Sequence, residues 1–196
     1  MTQPDEVKNG LILFVAISVM LAGVAQVGAR ADVKVAFDKA YDFSHIKTWG
    51  WSGERGQIKM ARTQDDDPAF MQKLVEPIIV EEVTKEANKK FKEAPSAPDV
   101  TFTYYLLLTV GQTSQTVGQF LPATLNWGLP LFPPATQSLK ILNAGTLVLD
   151  ASVKGTVVWR GAAQAEIKPD TSKEKRESVV RDAVRDMLRQ FPPKTK

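Results

Sequence analysis

The side chains able to do chemistry in this chain are few, and their types narrow the possibilities quickly. Cysteine is absent, which removes thiolate nucleophiles, disulfides and cysteine-based zinc sites together. His45 is the single histidine, so no histidine cage for a metal can form. A Ser-His-Asp triad would rest on that one imidazole, with no G-x-S-x-G elbow beside it. Asp65, Asp66 and Asp67 are three adjacent acids that could serve a carboxylate-dependent hydrolase; ahead of Pro68 they read more simply as a polar turn and helix cap. Asp150 and Arg160, in GTLVLDASVKGTVVWRG, could grip an anion or pair across two strands, and cross-strand pairing is how sheets are stabilised. On this reading there are no catalytic residues, no cofactor-binding residues, no cofactor and no metal ligands.

A binding role has a better candidate. FLPATLNWGLPLFPPATQS sets Phe120, Trp127 and Phe132 on a backbone stiffened by four prolines, and a stiff loop loses less entropy on docking than a flexible one. These three residues form a possible partner-binding loop, the partner being an unknown envelope protein or lipid. The alternative is that the loop folds back over the sheet as core, since soluble proteins rarely leave large apolar patches bare. Nucleic acid is not an expected partner. The net charge of +3 comes from basic residues interleaved with acidic ones, as in EEVTKEANKKFKE, with no basic stripe.

The elements that position these residues follow from periodicity. Val33, Val35 and Phe37 alternate as a strand, a turn follows at Asp42-Phe43-Ser44, and Trp49 and Trp51 mark a second extended piece. SGERGQIKMARTQDD reads as an exposed loop. From Asp67-Pro68, Phe70, Leu74, Ile78, Val83, Ala87 and Phe91 draw one helix face, with a kink or restart at Pro77. Glu81, Glu82, Lys85, Glu86, Lys89 and Lys90 fill the rest as a solvated face with i,i+4 pairs Glu81–Lys85 and Glu86–Lys90. TFTYYLLLTV alternates as a strand with Phe102, Tyr104, Leu106, Leu108 and Val110 inward. A closing helix carries Val179, Val180, Ala183, Val184, Met187 and Leu188, opened by Thr171 and Glu174 at capping-box spacing and stopped by Pro192-Pro193.

Between strand and closing helix lies a hairpin. A three-residue loop, Val153-Lys154-Gly155, puts Leu147, Leu149, Ala151, Val157 and Trp159 on one face. Asp150 and Arg160 then lie diagonally on the other, exposed face; a two-residue loop would oppose Asp150 to Trp159 and mix charge into the core. The element order predicts an α+β fold: a two-layer sandwich, a mainly antiparallel sheet with two helices on one face, preceded by an N-terminal hydrophobic leader.

That leader, residues 1–31, has the apolar run LILFVAISVMLAGVAQVG and the small-residue site Ala29-Arg30-Ala31, so it reads as a signal peptide cleaved before Asp32. Its opening residues are acidic rather than basic, which leaves open an inner-membrane anchor over residues 11–28. Either way the single domain, residues 32–196, sits outside the cytoplasm, in the periplasm or cell envelope, with membrane contact only through an uncleaved leader.

Two segments carry a resemblance. Asp42, Phe43, Ser44, Thr48, Trp49 and Trp51 in YDFSHIKTWGW, with Trp159, Arg160 and Gly161 closing the hairpin, resemble the bacterial envelope family catalogued as domain of unknown function 4136. The resemblance implies a secreted α+β domain, often lipid-anchored, with no catalytic residues to carry over. This chain departs by lacking the lipoprotein cysteine, and by a Pro/Leu-rich stretch at residues 120–138 where relatives tend to be glycine-rich and aromatic. The expectation is an exported, non-catalytic binding or scaffold module. The alternatives are a carrier of a small apolar ligand or lipid, and the hydrolase above.

Overall fold

The alternation in TFTYYLLLTV produces β4 (Val100–Thr109), the middle of a six-stranded sheet. The computed structural model describes residues 31–61, 68–109, 113–116, 138–141, 144–166 and 171–194. The leader before residue 31, Asp65 to Asp67, and the Phe120, Trp127 and Phe132 loop lie outside the described residues.

The sheet runs β1 (Asp32–Phe37), β8 (Thr156–Glu166), β7 (Ala144–Val153), β4, β2 (Thr48–Ala61), β3 (Lys92–Glu93). The β1–β8, β8–β7 and β7–β4 pairs are antiparallel, while β2 is parallel to both β4 and β3. Parallel neighbours need a crossover, and α1 (Pro68–Asn88) supplies it. A separate hairpin pairs β5 (Thr113–Thr116) with β6 (Ser138–Ile141). The helix α2 (Lys173–Leu188) closes the described chain, packing on α1, β8 and β1. The fold is the expected α+β arrangement of a mainly antiparallel sheet with two helices.

The core lies between the helices and one sheet face. Trp49, Phe102, Tyr104, Leu149, Trp159, Ile79, Val83, Val184 and Met187 are all essentially inaccessible to solvent. Phe191, just beyond α2, meets Trp159, Phe102, Phe91 and Phe43 at ring-centroid distances of 5.2, 5.4, 5.7 and 6.1 Å. Lys90 fastens this corner by donating from Nζ to the carbonyls of Leu188 (2.6 Å) and Phe191 (2.5 Å), satisfying acceptors that α2 leaves at its end.

Several details differ from the sequence expectations. SGERGQIKMA belongs to β2, not to a loop: strand pairing with β4 resumes at Gly56. The helix α1 runs unbroken through Pro77. Glu82 and Glu86 are buried rather than solvated, because α2 lies against them; Arg181 and Arg185 reach Glu82 at 3.6 and 3.2 Å. The intrahelical partners are Lys85 with Glu82 and Lys89 with Glu86, three residues apart, and Lys90 turns to α2 instead. At the start of α2 the cap is Ser172, whose Oγ accepts from Lys175 N, one residue past the expected Thr171.

Candidate functional site

The break in β2 builds an open polar site. Trp51 lies opposite Phe102 and Gly56 opposite Tyr104, so Ser52 to Arg55 occupy the span that Thr103 fills alone on β4. The bulge is closed by its own side chains. Ser52 Oγ donates to the Glu54 carbonyl and accepts from Thr103 Oγ1 (2.8 Å), while Gln57 Nε2 donates to Glu54 Oε2 at 2.9 Å. Bulges re-aim side chains and end regular pairing in this way.

Gly56 has a defined purpose. A Cβ there would lie 2.1 Å from the Tyr104 ring, which crosses this position. The buried Tyr104 hydroxyl then reaches α1 and donates to Glu76 Oε2 at 2.9 Å; Gln72 Nε2 donates to the same oxygen at 2.7 Å. Burial pushes the Tyr104 phenol well above its ordinary range, and the Glu76 hydrogen bond and charge push it further, against a smaller opposing effect of Gln72. Tyr104 is therefore a fixed donor rather than a base. Between the bulge and α1 is a cleft of ≈ 620 Å³, lined by residues 53–57 with Gln72 and Glu76. Among the described residues it offers two carboxylates, one guanidinium and two carboxamides, a set suited to holding a polar group by directed hydrogen bonds.

The hairpin corrects the expected register. The loop is two residues, Lys154 and Gly155, both at positive φ (50° and 81°), as a type I′ turn requires. Val158 is then an extra residue on β8, because Ser152 pairs with Val157 and Ala151 with Trp159. Its carbonyl accepts from Asp38 N at the end of β1 (2.8 Å). The bulge cancels the slip that a two-residue turn would cause. Leu147, Leu149, Ala151 and Trp159 do share the inner face, and Val158, not Val157, joins the main core cluster.

Asp150 and Arg160 are directly opposite rather than diagonal, and each is 1% exposed rather than on an open face. Arg160 Nε and Nη2 donate to the two Asp150 oxygens at 2.5 and 2.6 Å. Burial pushes the Asp150 carboxyl up, against the downward pull of that guanidinium. Tyr105, on the same face, has its hydroxyl pushed up by burial and then by the Asp150 charge. The pair is inaccessible and structural, not an anion site.

The residues that carried the resemblance are structural too. Asp42 Oδ1 accepts from Ser44 N (2.9 Å) to cap a 3₁₀ turn over Phe43–His45, with Phe43 buried in the core. Thr48 Oγ1 donates to Asp99 Oδ2 at 2.8 Å, and the same carboxylate oxygen accepts from the backbone N–H groups of Lys47 and Thr48. Trp49 Nε1 donates to Asn88 Oδ1 at 2.8 Å. Gly161 leaves room for Trp159 and Met187, whose atoms would lie 2.6 and 3.0 Å from an added Cβ. His45 is 82% exposed, with Nε2 3.0 Å from Asp42 Oδ2. Among the described residues no group of three or more His, Cys, Asp or Glu is placed to hold a metal ion.

The sequence reading missed the cleft. Tyr104 was legible as an inward residue, and a buried hydroxyl demands an acceptor. Nothing in the spacing says that the acceptor is Glu76, which lies on another element 28 positions away.

The family model described as "Domain of unknown function (DUF4136)" matches residues 33–193. No curated protein matches. Among solved structures, a DUF4136 family protein from Bacteroides thetaiotaomicron is 14% identical with a TM-score of 0.47, over 83% of this chain and 96% of that one. A PDZ domain protein from Parabacteroides distasonis is also 14% identical, TM-score 0.46, over 86% of this chain but only 38% of that chain's length. A PelC dodecamer from Paraburkholderia phytofirmans is 10% identical, TM-score 0.35, over 81% of this chain and 97% of that one.

Proposed function

Since the chain belongs to the family described as domain of unknown function DUF4136, we propose that it is an exported, non-catalytic binding module of the bacterial cell envelope. The observation that carries the binding reading is the cleft beside the β2 bulge. Polar groups that line it are held in place by one another and by the buried Tyr104 behind them: Gln72 and Tyr104 donate to Glu76, and Gln57 to Glu54. A general acid or base needs a proton free to move near neutral pH. Tyr104 holds its proton tightly, and the Ser52 hydroxyl is committed to a backbone carbonyl, which suits recognition better than turnover. Export is supported by the leader's apolar run and the Ala29-Arg30-Ala31 site.

Expression of the full chain in a Gram-negative host, followed by cell fractionation and mass spectrometry of its N-terminus, tests the export half. The expected product begins at Asp32 and lies in the periplasmic fraction. A cytoplasmic protein with residues 1–31 intact overturns it. A pull-down from envelope extract, compared between the native protein and the Glu54→Gln/Glu76→Gln variant, tests the binding half; identical captured material with both overturns the assignment to the cleft.

A further inference from the structure

The geometry points to an extended peptide as the occupant of this cleft, added as a strand along the outer edge of β2, which no described strand pairs beyond Trp49, with a basic side chain seated between Glu54 and Glu76. The inference rests on the cleft being a binding site, but not on export.

The edge is the first reason. Among the described strands β2 is flanked on its outer side only by β3, which pairs with Thr48 and Trp49. From Gly56 to Ala61, β2 pairs on its inner side with Tyr104 to Thr109, and no described strand lies on the other. Backbone N–H and C=O groups along such an edge are a template for another chain, and strand addition recruits them as the main source of affinity. A sugar or a simple ion would leave that row unused.

The bulge is the second. It lies just past the residues that β3 pairs, where β2 has no described outer partner, and Gly53 at its crest has open space where a Cβ would be. An incoming backbone can therefore approach closely. Successive side chains of an added strand point to opposite faces, so alternate residues would turn toward α1 and the cleft.

Charge decides what those residues are. Glu54 Oε2 and Glu76 Oε2 already accept hydrogen bonds from within the protein, and both carboxylates line the cleft. A lysine ammonium or arginine guanidinium entering from the edge would meet them, with Arg55 of the bulge as the one cation among the described lining residues. An acidic side chain would meet two like charges.

The test uses the purified protein and a fluorescein-labelled peptide of alternating valine and lysine, about six residues long to match a typical strand, read by fluorescence anisotropy. Three further arms are the same peptide N-methylated at alternate residues, a valine–glutamate peptide, and the Glu54→Gln/Glu76→Gln variant. The expected result is saturable binding that weakens about tenfold or more in each arm, a difference of about 1.4 kcal/mol. Undetectable binding at millimolar protein overturns the inference, as does equal affinity for the N-methylated peptide, which would mean attraction by charge alone. If the double variant does not fold, the two peptide arms on the native protein decide. Failure here, with pull-down still sensitive to Glu54 and Glu76, would leave the cleft as a site for another class of ligand.

Discussion

Removing either partner of the Asp150–Arg160 pair tests whether the second sheet face is as closed as its burial indicates. Both side chains are 1% exposed and share two short hydrogen bonds, so Asp150→Ala would strand a guanidinium, and Arg160→Ala a carboxylate, in a place water does not reach. Breaking a buried pair from one side costs about 3–5 kcal/mol. For a domain of this size that corresponds to a fall in Tm of roughly 6–20 °C, at about 2–4 °C per kcal/mol. The pair as a whole is a different matter. Burial pushes Asp150 up despite the guanidinium beside it, so the desolvation cost consumes much of the attraction. Asp150→Leu/Arg160→Met, which keeps the volume apolar, is therefore expected to come within about 1 kcal/mol of the native protein or exceed it. Urea unfolding followed by tryptophan fluorescence measures all three variants, with Trp159 one residue from the arginine as a local reporter. Single substitutions costing less than about 1 kcal/mol would place the pair in the range of exposed ion pairs and refute the reasoning.

Other substitutions probe the remaining joints. Gly56→Ala drives a Cβ to 2.1 Å from the Tyr104 ring, and displacing that ring also breaks its bond to Glu76, so a loss of about 2–4 kcal/mol in urea unfolding is expected. Gly53→Ala, with open space at the same bulge, should change stability by no more than about 0.5 kcal/mol. Phe191→Ala empties the meeting point of four rings and should cost about 3–5 kcal/mol by the same measurement. Asp99 is held below its ordinary pKa of 3.8, first by the Lys47 N–H, then by the Thr48 hydroxyl and N–H. The folded state thus binds this proton more weakly than the unfolded chain. Its contribution is present above pH 3.8 and is lost as the pH falls through the depressed value. A Tm series across that acid range should show a shallower decline for Asp99→Asn; equal slopes would contradict the assignment.

What could be read from the sequence, and what could not, divides by range. The α2 stripe from Val179 to Leu188 was legible because helical period is a local property, and so was the inward alternation of Phe102, Tyr104 and Leu106. The hairpin shows where locality ends. Its inner face is legible for Leu147, Leu149, Ala151 and Trp159, though not for Val157, even from the wrong loop, since a two-residue turn plus a bulge at Val158 brings Trp159 inward just as a three-residue loop would, and only the paired strand distinguishes them. The error then surfaced on the other face, where Asp150 and Arg160 meet head-on and buried. Glu82 and Glu86 failed for a related reason: their solvent exposure depends on Arg181 and Arg185, about a hundred positions away on a helix whose docking no local pattern reports.

The cleft combines both kinds of information. Glycines in SGERG announce a break, and local chemistry explains why Ser52, Glu54 and Gln57 close it. That the break opens toward Gln72 and Glu76 depends on the crossover that lays α1 beside β2, and on Tyr104 using the space that Gly56 leaves free. A site of this kind is specified by a missing side chain as much as by those present. Restoring a methyl at Gly56 should therefore damage peptide binding and stability together, whereas the Glu54→Gln/Glu76→Gln variant, which keeps the amide oxygens as acceptors, should separate them. Affinity that falls in the glutamine variant while Tm holds would show that the carboxylate charge serves recognition; a parallel fall in both would make the cleft a structural joint only.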